Sequence, residues 1–193
     1  MRKLVWFVTV SLDGYFEGPN HDISWHNVDD EFNGYAVQQL QSTDTILFGR
    51  RTYQLFEEYW SKAEDDPAVS KYDLQIARMI NNMKKIVYSK TLTSVEEHGN
   101  WKNVSLERVV VSEKINALKR LYGKDVSVGG NMLGVSLSEL GLIDEYRIML
   151  NPVVLGASTT LFRGIKERLK LELLETRRFR SGNVLLTYKP ISR

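Results

Sequence analysis

Val126-Ser-Val-Gly-Gly-Asn-Met-Leu133 runs from an apolar strand through a glycine pair into a stretch with helical apolar spacing. Adjacent glycines let a backbone approach a bulky ligand, and the free N–H groups of a first helical turn favour an anion, so Gly129, Gly130, Asn131, Met132 and Leu133 suit a phosphate or pyrophosphate. Gly49-Arg50-Arg51-Thr52 has the same order: a strand-closing glycine, then a helical first turn that adds two guanidinium groups and a hydroxyl. Ser89-Lys90-Thr91 follows a third strand directly, which puts a hydroxyl and an ammonium at the carboxyl edge of a sheet, where open α/β sheets bind ligands. Taken singly, each segment also fits an ordinary turn with solvent-facing cations. Three strand ends with phosphate-binding groups are what a nucleotide cofactor lying across a sheet edge requires. A lysine at position 90, rather than an acidic residue, suits a ribose 2′-phosphate and hence NADPH over NADH.

The acidic candidates are Asp13 and Asp30. Asp13 precedes Gly14 at a strand-to-loop break and reads as a routine turn pair or as a group facing a ligand. Asp29 and Asp30 stand where a helix is expected to begin, as caps and dipole partners or as acceptors for a substrate's N–H groups. For either to act as an acid near neutral pH, burial would have to raise its pKa. His21, Asp22 and His26 do not have the spacing of a known metal site, and no metal is expected. The glycine pair is neither G-x-G-x-x-G nor a Walker A loop, there is no G-x-S-x-G elbow, and His98 lies in a polar loop without an evident role.

Short apolar runs rich in β-branched residues mark strands at Lys3–Val10, Thr45–Phe48, Lys85–Tyr88, Val109–Val111 and Val126–Val128. Helical spacing connects Phe32, Ala36 and Leu40; Tyr53, Phe56 and Trp60; and Ile115, Leu118 and Leu121, with Ser112 as the expected N-cap. A further helix is expected over Val69–Asn82. This alternation implies crossover connections and a largely parallel sheet. Ile143–Leu150 reads as another strand. Leu169, Leu171 and Leu173, a Ser181-Gly182 turn, then Val184, Leu186 and Tyr188 predict a C-terminal antiparallel hairpin.

The 193 residues, 42% of them apolar, suffice for one sizeable core, so a single domain over residues 1–193 is expected. A net charge of +2 with scattered basic residues argues against a nucleic-acid or membrane partner. The chain has no cysteine, which removes disulfides, thiolate nucleophiles and thiolate metal sites together and fits a reducing compartment. No run approaches the roughly 20 apolar residues that cross a bilayer, and the basic-then-apolar start lacks a cleavage site, so a cytoplasmic protein is expected.

In order and spacing, Val10-Ser-Leu-Asp-Gly14, Phe48-Gly-Arg-Arg-Thr-Tyr53, Val87-Tyr-Ser-Lys90, Val128-Gly-Gly-Asn-Met-Leu133, Leu142-Ile-Asp-Glu-Tyr-Arg147 and Pro152-Val-Val-Leu-Gly156 resemble the dihydrofolate reductase-like superfamily. Within it, the chain is similar to the C-terminal reductase domain of the bacterial bifunctional riboflavin-biosynthesis deaminase-reductase. The resemblance implies a three-layer α/β/α fold and NADPH as hydride donor to a small heterocyclic or sugar-linked molecule. It implies that Gly49, Arg50, Arg51 and Thr52 hold the cofactor's phosphate region, Ser89 and Lys90 its 2′-phosphate, and Gly129 to Leu133 its pyrophosphate. Thr9 and the Asp13–Gly18 loop, with Phe16 and Gly18, would approach the nicotinamide. A homodimer formed partly through Ile143–Val154 is also implied. True dihydrofolate reductases grip the pterin with an acid after a Trp-containing loop, and Trp25 with Asp30 approximates that pattern. The cysteines of the zinc deaminase domain are absent. Dihydrofolate reduction proper and a non-catalytic dinucleotide-binding dimer stand as alternatives.

Overall fold

The computed structural model describes residues 1–191. Five strands carry the parallel part of the sheet: β1 (Leu4–Ser11), β3 (Thr43–Gly49), β4 (Lys84–Tyr88), β5 (Val104–Glu107) and β6 (Asp125–Gly129). β7 (Glu145–Asn151) is also parallel to β1, while β9 (Leu171–Arg178) and β10 (Val184–Pro190) form the antiparallel hairpin, so the order is β5-β4-β3-β6-β1-β7-β10-β9. A separate small pair, β2 (Tyr15–Glu17) with β8 (Thr159–Thr160), lies beyond the end of β1.

The period of two in a strand sorts the core into two layers. Leu4, Trp6, Val8 and Val10 of β1 pack with α4 (Ser112–Arg120) and α5 (Asn131–Glu139), through Ile115, Leu118, Leu133 and Leu137. On the opposite face, Phe7 joins the cluster around Tyr35 of α1 (Asp30–Gln41), and Ile46, Phe48 and Val87 pack against α2 (Arg50–Ala63) and α3 (Lys71–Asn82). This is the three-layer α/β/α arrangement with a mostly parallel sheet and a terminal hairpin. The approach of α5 to β1 depends on Gly134, whose missing Cβ would lie 2.1 Å from Cε2 of the buried Trp6.

Two local expectations are corrected. The edge strand is Val104–Glu107, paired in register with Lys85–Tyr88, whereas Val109–Val111 leads into α4. The β4 backbone is already paired by residues 104–107, and Val109 is left exposed. Ser112 is the first residue of α4 rather than its cap; Val111 takes the cap position and offers no side-chain bond. At α3, Ser70 caps by accepting from the Asp73 N–H at 3.0 Å, which starts the helix at Lys71.

Candidate functional site

Because β1, β3, β4 and β6 are mutually parallel, their carboxyl ends share one edge, which brings the three phosphate-type segments together. Gly49 is the N-cap of α2 and Gly130 the N-cap of α5, and neither helix start has a side-chain cap. The two starts adjoin: a Cβ on Gly49 would lie 3.7 Å from Leu133 Cβ, and one on Gly130 would lie 3.6 Å from the Gly49 nitrogen. Two sets of first-turn N–H groups without side-chain caps therefore stand side by side, a backbone arrangement of the kind that favours anions.

Packing gives the glycine pair a reason of its own. A Cβ on Gly129 would stand 2.7 Å from the Phe48 ring, and one on Gly130, at φ +112°, would stand 2.8 Å from Thr52 Oγ1. At both positions β3 and α2 occupy the space that a Cβ would need. Beside them, Asn131 is buried. Its Nδ2 donates to the Thr160 carbonyl at 3.3 Å, while its Oδ1 is buried at the first turn of α5 with no partner among the described residues.

The cations and hydroxyls are less uniform than expected. Arg50 donates to Thr91 Oγ1 at 2.8 Å, and Lys90 is exposed with no hydrogen-bond or ion-pair partner among the described residues. Ser89 does not project outward. It is buried, and its Oγ accepts from the N–H groups of Thr91 and Leu92, closing its own turn, so Thr91 offers the exposed hydroxyl at this strand end. Arg51 turns to the loop after β2: its guanidinium lies 3.0 Å from His21 Nδ1, which is 2.9 Å from Glu17 Oε2.

Both acidic candidates depart from the proton-donor expectation. Asp13 Oδ1 accepts from Ser11 Oγ and the Leu155 N–H, and Oδ2 accepts from the Gly156 N–H at 2.8 Å. The Ser11 hydroxyl and these backbone donors hold its pKa below the ordinary carboxylate value, so it is ionised at neutral pH and fastens the loop after β1 to the segment after β7. Asp30 is exposed on the first turn of α1, and its neighbour Asp29 is the N-cap, accepting from the Phe32 N–H at 2.8 Å. Thr9 is buried near the end of β1, Phe16 packs partly buried against the core of that face, and Gly18 is buried with its N–H bonded to the Asp22 carbonyl.

A polar group that the sequence reading passed over lies at the ends of β7 and β10. The Asn27 N–H donates to Asn151 Oδ1, Asn27 Nδ2 donates to the Ser181 carbonyl, and Asn183 Nδ2 donates to the Asn27 carbonyl. Asn27, Asn151 and Asn183 fall in three distant parts of the chain with no shared motif, so only the register of β1, β7 and β10 unites them. Beside them, His26 is buried enough to push its pKa down to about 4, with the Asp22 charge opposing the shift.

The model of the RibD C-terminal domain family matches residues 2–185. The chain belongs to that family. It is 34% identical over 188 residues to the uncharacterized protein YyaP of Bacillus subtilis (strain 168), covering 97% of this chain and 94% of that one. Among solved structures it resembles a putative riboflavin biosynthesis protein from Shewanella sp. PV-4, with a TM-score of 0.74, 22% identity and full coverage of both chains. It also resembles the Thermotoga maritima diaminohydroxyphosphoribosylaminopyrimidine deaminase/5-amino-6-(5-phosphoribosylamino)uracil reductase, at 0.65 and 15%, covering 98% of this chain and 57% of that one. Dihydrofolate reductase from Enterococcus faecalis, complexed with NADP(H), aligns at 0.61 and 15%, covering 98% and 97%. At these identities the structural likeness establishes the dihydrofolate reductase-like fold. Among the described residues no helix is long and apolar enough to cross a membrane, and no cluster of three metal-ligating side chains forms.

Proposed function

We propose that this member of the RibD C-terminal domain family is an NADPH-dependent reductase, delivering hydride to a carbonyl or imine carbon of a small heterocyclic or sugar-linked molecule. The observation that carries this reading is the pair of adjoining helix starts without side-chain caps at Gly49 and Gly130, flanked by Arg50 and the exposed Lys90. The buried, partnerless Asn131 Oδ1 fits a donor group of the same cofactor. Reduced nicotinamide supplies the hydride when bound.

In this reading, the N–H groups of Arg50 to Thr52 and of Asn131 to Leu133 hold the pyrophosphate. Lys90, with Arg50 and Thr91, takes the 2′-phosphate, and Ser89 shapes their turn rather than touching it. Thr9, Phe16 and Gly18 wall the nicotinamide end and exclude water. Arg51 exchanges its His21 partner for phosphate or remains a clasp on the loop. Since Asp13 is held ionised and Asp30 faces solvent, neither supplies the proton, which reaches the reduced oxygen or nitrogen from water. The chain pairs with a second copy; the half-exposed Leu173, Leu174 and Val154 near the late strands favour this.

Fluorescence titration of NADPH and NADH on the protein and on Lys90→Ala tests the reading. The expected result is a preference for NADPH of at least tenfold that the substitution removes, as loss of a charge-assisted contact would give. Equal affinities unchanged by the substitution overturn the 2′-phosphate assignment. A panel of pterins, pyrimidines and carbonyl compounds then separates turnover from mere cofactor binding.

A further inference from the structure

On the sheet face that α1 covers, a cavity of about 160 Å³ opens between that helix and the strands β7, β10 and β9. Strand register sets its floor: Arg147 of β7 stands beside Thr187 of β10, and Thr187 beside Glu175 of β9. Tyr35 of α1 lines the other side. Burial pushes its phenol up to about 12, and Arg147, Glu145, Glu175 and Arg177 all act on the same hydroxyl, so these charges converge on one space. Arg147 pairs with Phe7, four residues before Ser11 at the end of β1, which puts the cavity roughly 13 Å from the edge where the glycine-led helices begin.

The polar groups of this cavity are incompletely used. Glu145 accepts from Lys3 Nζ at 2.8 Å and from Arg147 Nε at 2.6 Å, so one carboxylate faces two cations and a positive charge is left over on that side. Arg147 Nη1 makes no bond among the described residues, and on the far side the Glu175 carboxylate has neither an ion pair nor a hydrogen bond. Arg177 does not serve Glu175: it lies 3.7 Å from Glu31 and stacks 4.7 Å from the Phe179 ring centre. The hydroxyls of Tyr35 and Thr187, both buried residues that line the cavity, also lack hydrogen-bond partners among the described residues. Buried hydroxyls left unpaired beside separated charges are costly unless something else fills the space.

We infer that this cavity is a second small-molecule site and takes a small zwitterion, an amine and a carboxylate one or two carbons apart, with the carboxylate on Arg147 and the amine on Glu175. The Cα atoms of those two residues are two strand spacings apart, roughly 10 Å, a span that two charge-assisted contacts and a short amino acid fill. Thr187 stands between them, and its hydroxyl and that of Tyr35 donate to the ligand's carboxylate. Charge balance selects the class. A simple anion would face Glu175 without a counter-charge, and a simple cation would face the surplus at Arg147, whereas a zwitterion answers both. The site is independent of the reductase reading, because none of its residues belongs to the helix starts or to the Ser89–Thr91 turn.

Saturation-transfer NMR on the intact protein with glycine and β-alanine, against propionate, propylamine and glycerol, tests the site. The two zwitterions should take up saturation and the other three should not. Glu175→Gln removes a carboxylate with no protein partner and should raise the zwitterion Kd at least tenfold, the worth of a charge-assisted contact, without lowering Tm. Thr187→Val keeps the side chain's shape and should raise that Kd about fivefold, as loss of one neutral hydrogen bond does. Equal transfer to all five probes, or none to the zwitterions, overturns the proposal. So does a Glu175→Gln variant that binds glycine and β-alanine as the native protein does. Transfer to glycerol alone would give the cavity to uncharged hydroxyl compounds, and a Thr187→Val variant that gains stability while no probe binds would give it to internal water; either result overturns the zwitterion assignment.

Discussion

The edge of the sheet has two halves of opposite character. At the ends of β3, β4 and β6 stand two uncapped helix starts, Arg50 and Lys90, all of them electropositive. At the ends of β1, β7 and β10 stand a fastened, ionised Asp13 and a knot of asparagines joined through Asn27, whose chain neighbour is His26. The first half is built from backbone dipoles and long flexible cations, which bind an anion without needing a unique shape. The second is built from short amides with fixed partners, which discriminate by hydrogen-bond pattern. The contrast teaches that one edge can carry two physically different surfaces, one set by backbone dipoles and exposed charge, the other by short side chains with fixed hydrogen bonds.

The comparison breaks most sharply at Gly130. Gly130→Val puts a β-branched side chain at φ +112° and against Thr52 Oγ1, spreading the two helix starts. A rise in NADPH Kd of about a hundredfold, near 3 kcal/mol, is expected by fluorescence titration, with the pH dependence of stability that His26 contributes left unchanged. A change in both would show that the two halves are not independent.

The second test concerns His26. Its folded pKa of about 4 lies below the unfolded value near 6.5, so the unfolded chain binds the extra proton first. The stability is fully present above pH 6.5 and is lost as pH falls towards 4. Denaturant titrations across that window should show a decline of about 2 kcal/mol, allowing for the partial exposure of the ring, which His26→Phe flattens. An unchanged slope in the variant would remove His26 as its source.

Arg50→Ala should weaken NADPH about tenfold, with an effect that shrinks as salt is raised, since its charge is exposed. The smallest expected effect belongs to Asp13→Asn: a severalfold change in turnover from a loosened loop, with no displacement of the acid limb of the pH–rate profile, as checked by steady-state kinetics. A displaced limb would restore Asp13 as the proton donor.

Much of this molecule was legible before folding. Alternation of β-branched runs with helical spacing is a local signal, and it foretold the parallel sheet, the terminal hairpin and the meeting of Gly49, Arg50 and Gly130 at one edge. Glycine and hydroxyl roles were legible by type but not by direction: Ser89 faces inward and Gly129 faces Phe48, because a residue's type does not state what packs beside it. The edge strand was misplaced from Val104–Glu107 to Val109–Val111, since apolar content alone ignores which segment β4 has already paired.

By itself, then, the sequence determined the layering and the meeting of the glycine-led helix starts at one edge, because periodicity and glycine position are properties of neighbouring residues. Only the tertiary structure decided that Asp13 is a staple, that Asp30 is turned to solvent, and that Asn27, Asn151 and Asn183 meet. Hydrogen bonds between a side chain and a backbone group more than a hundred residues away depend on strand register, which no local pattern encodes.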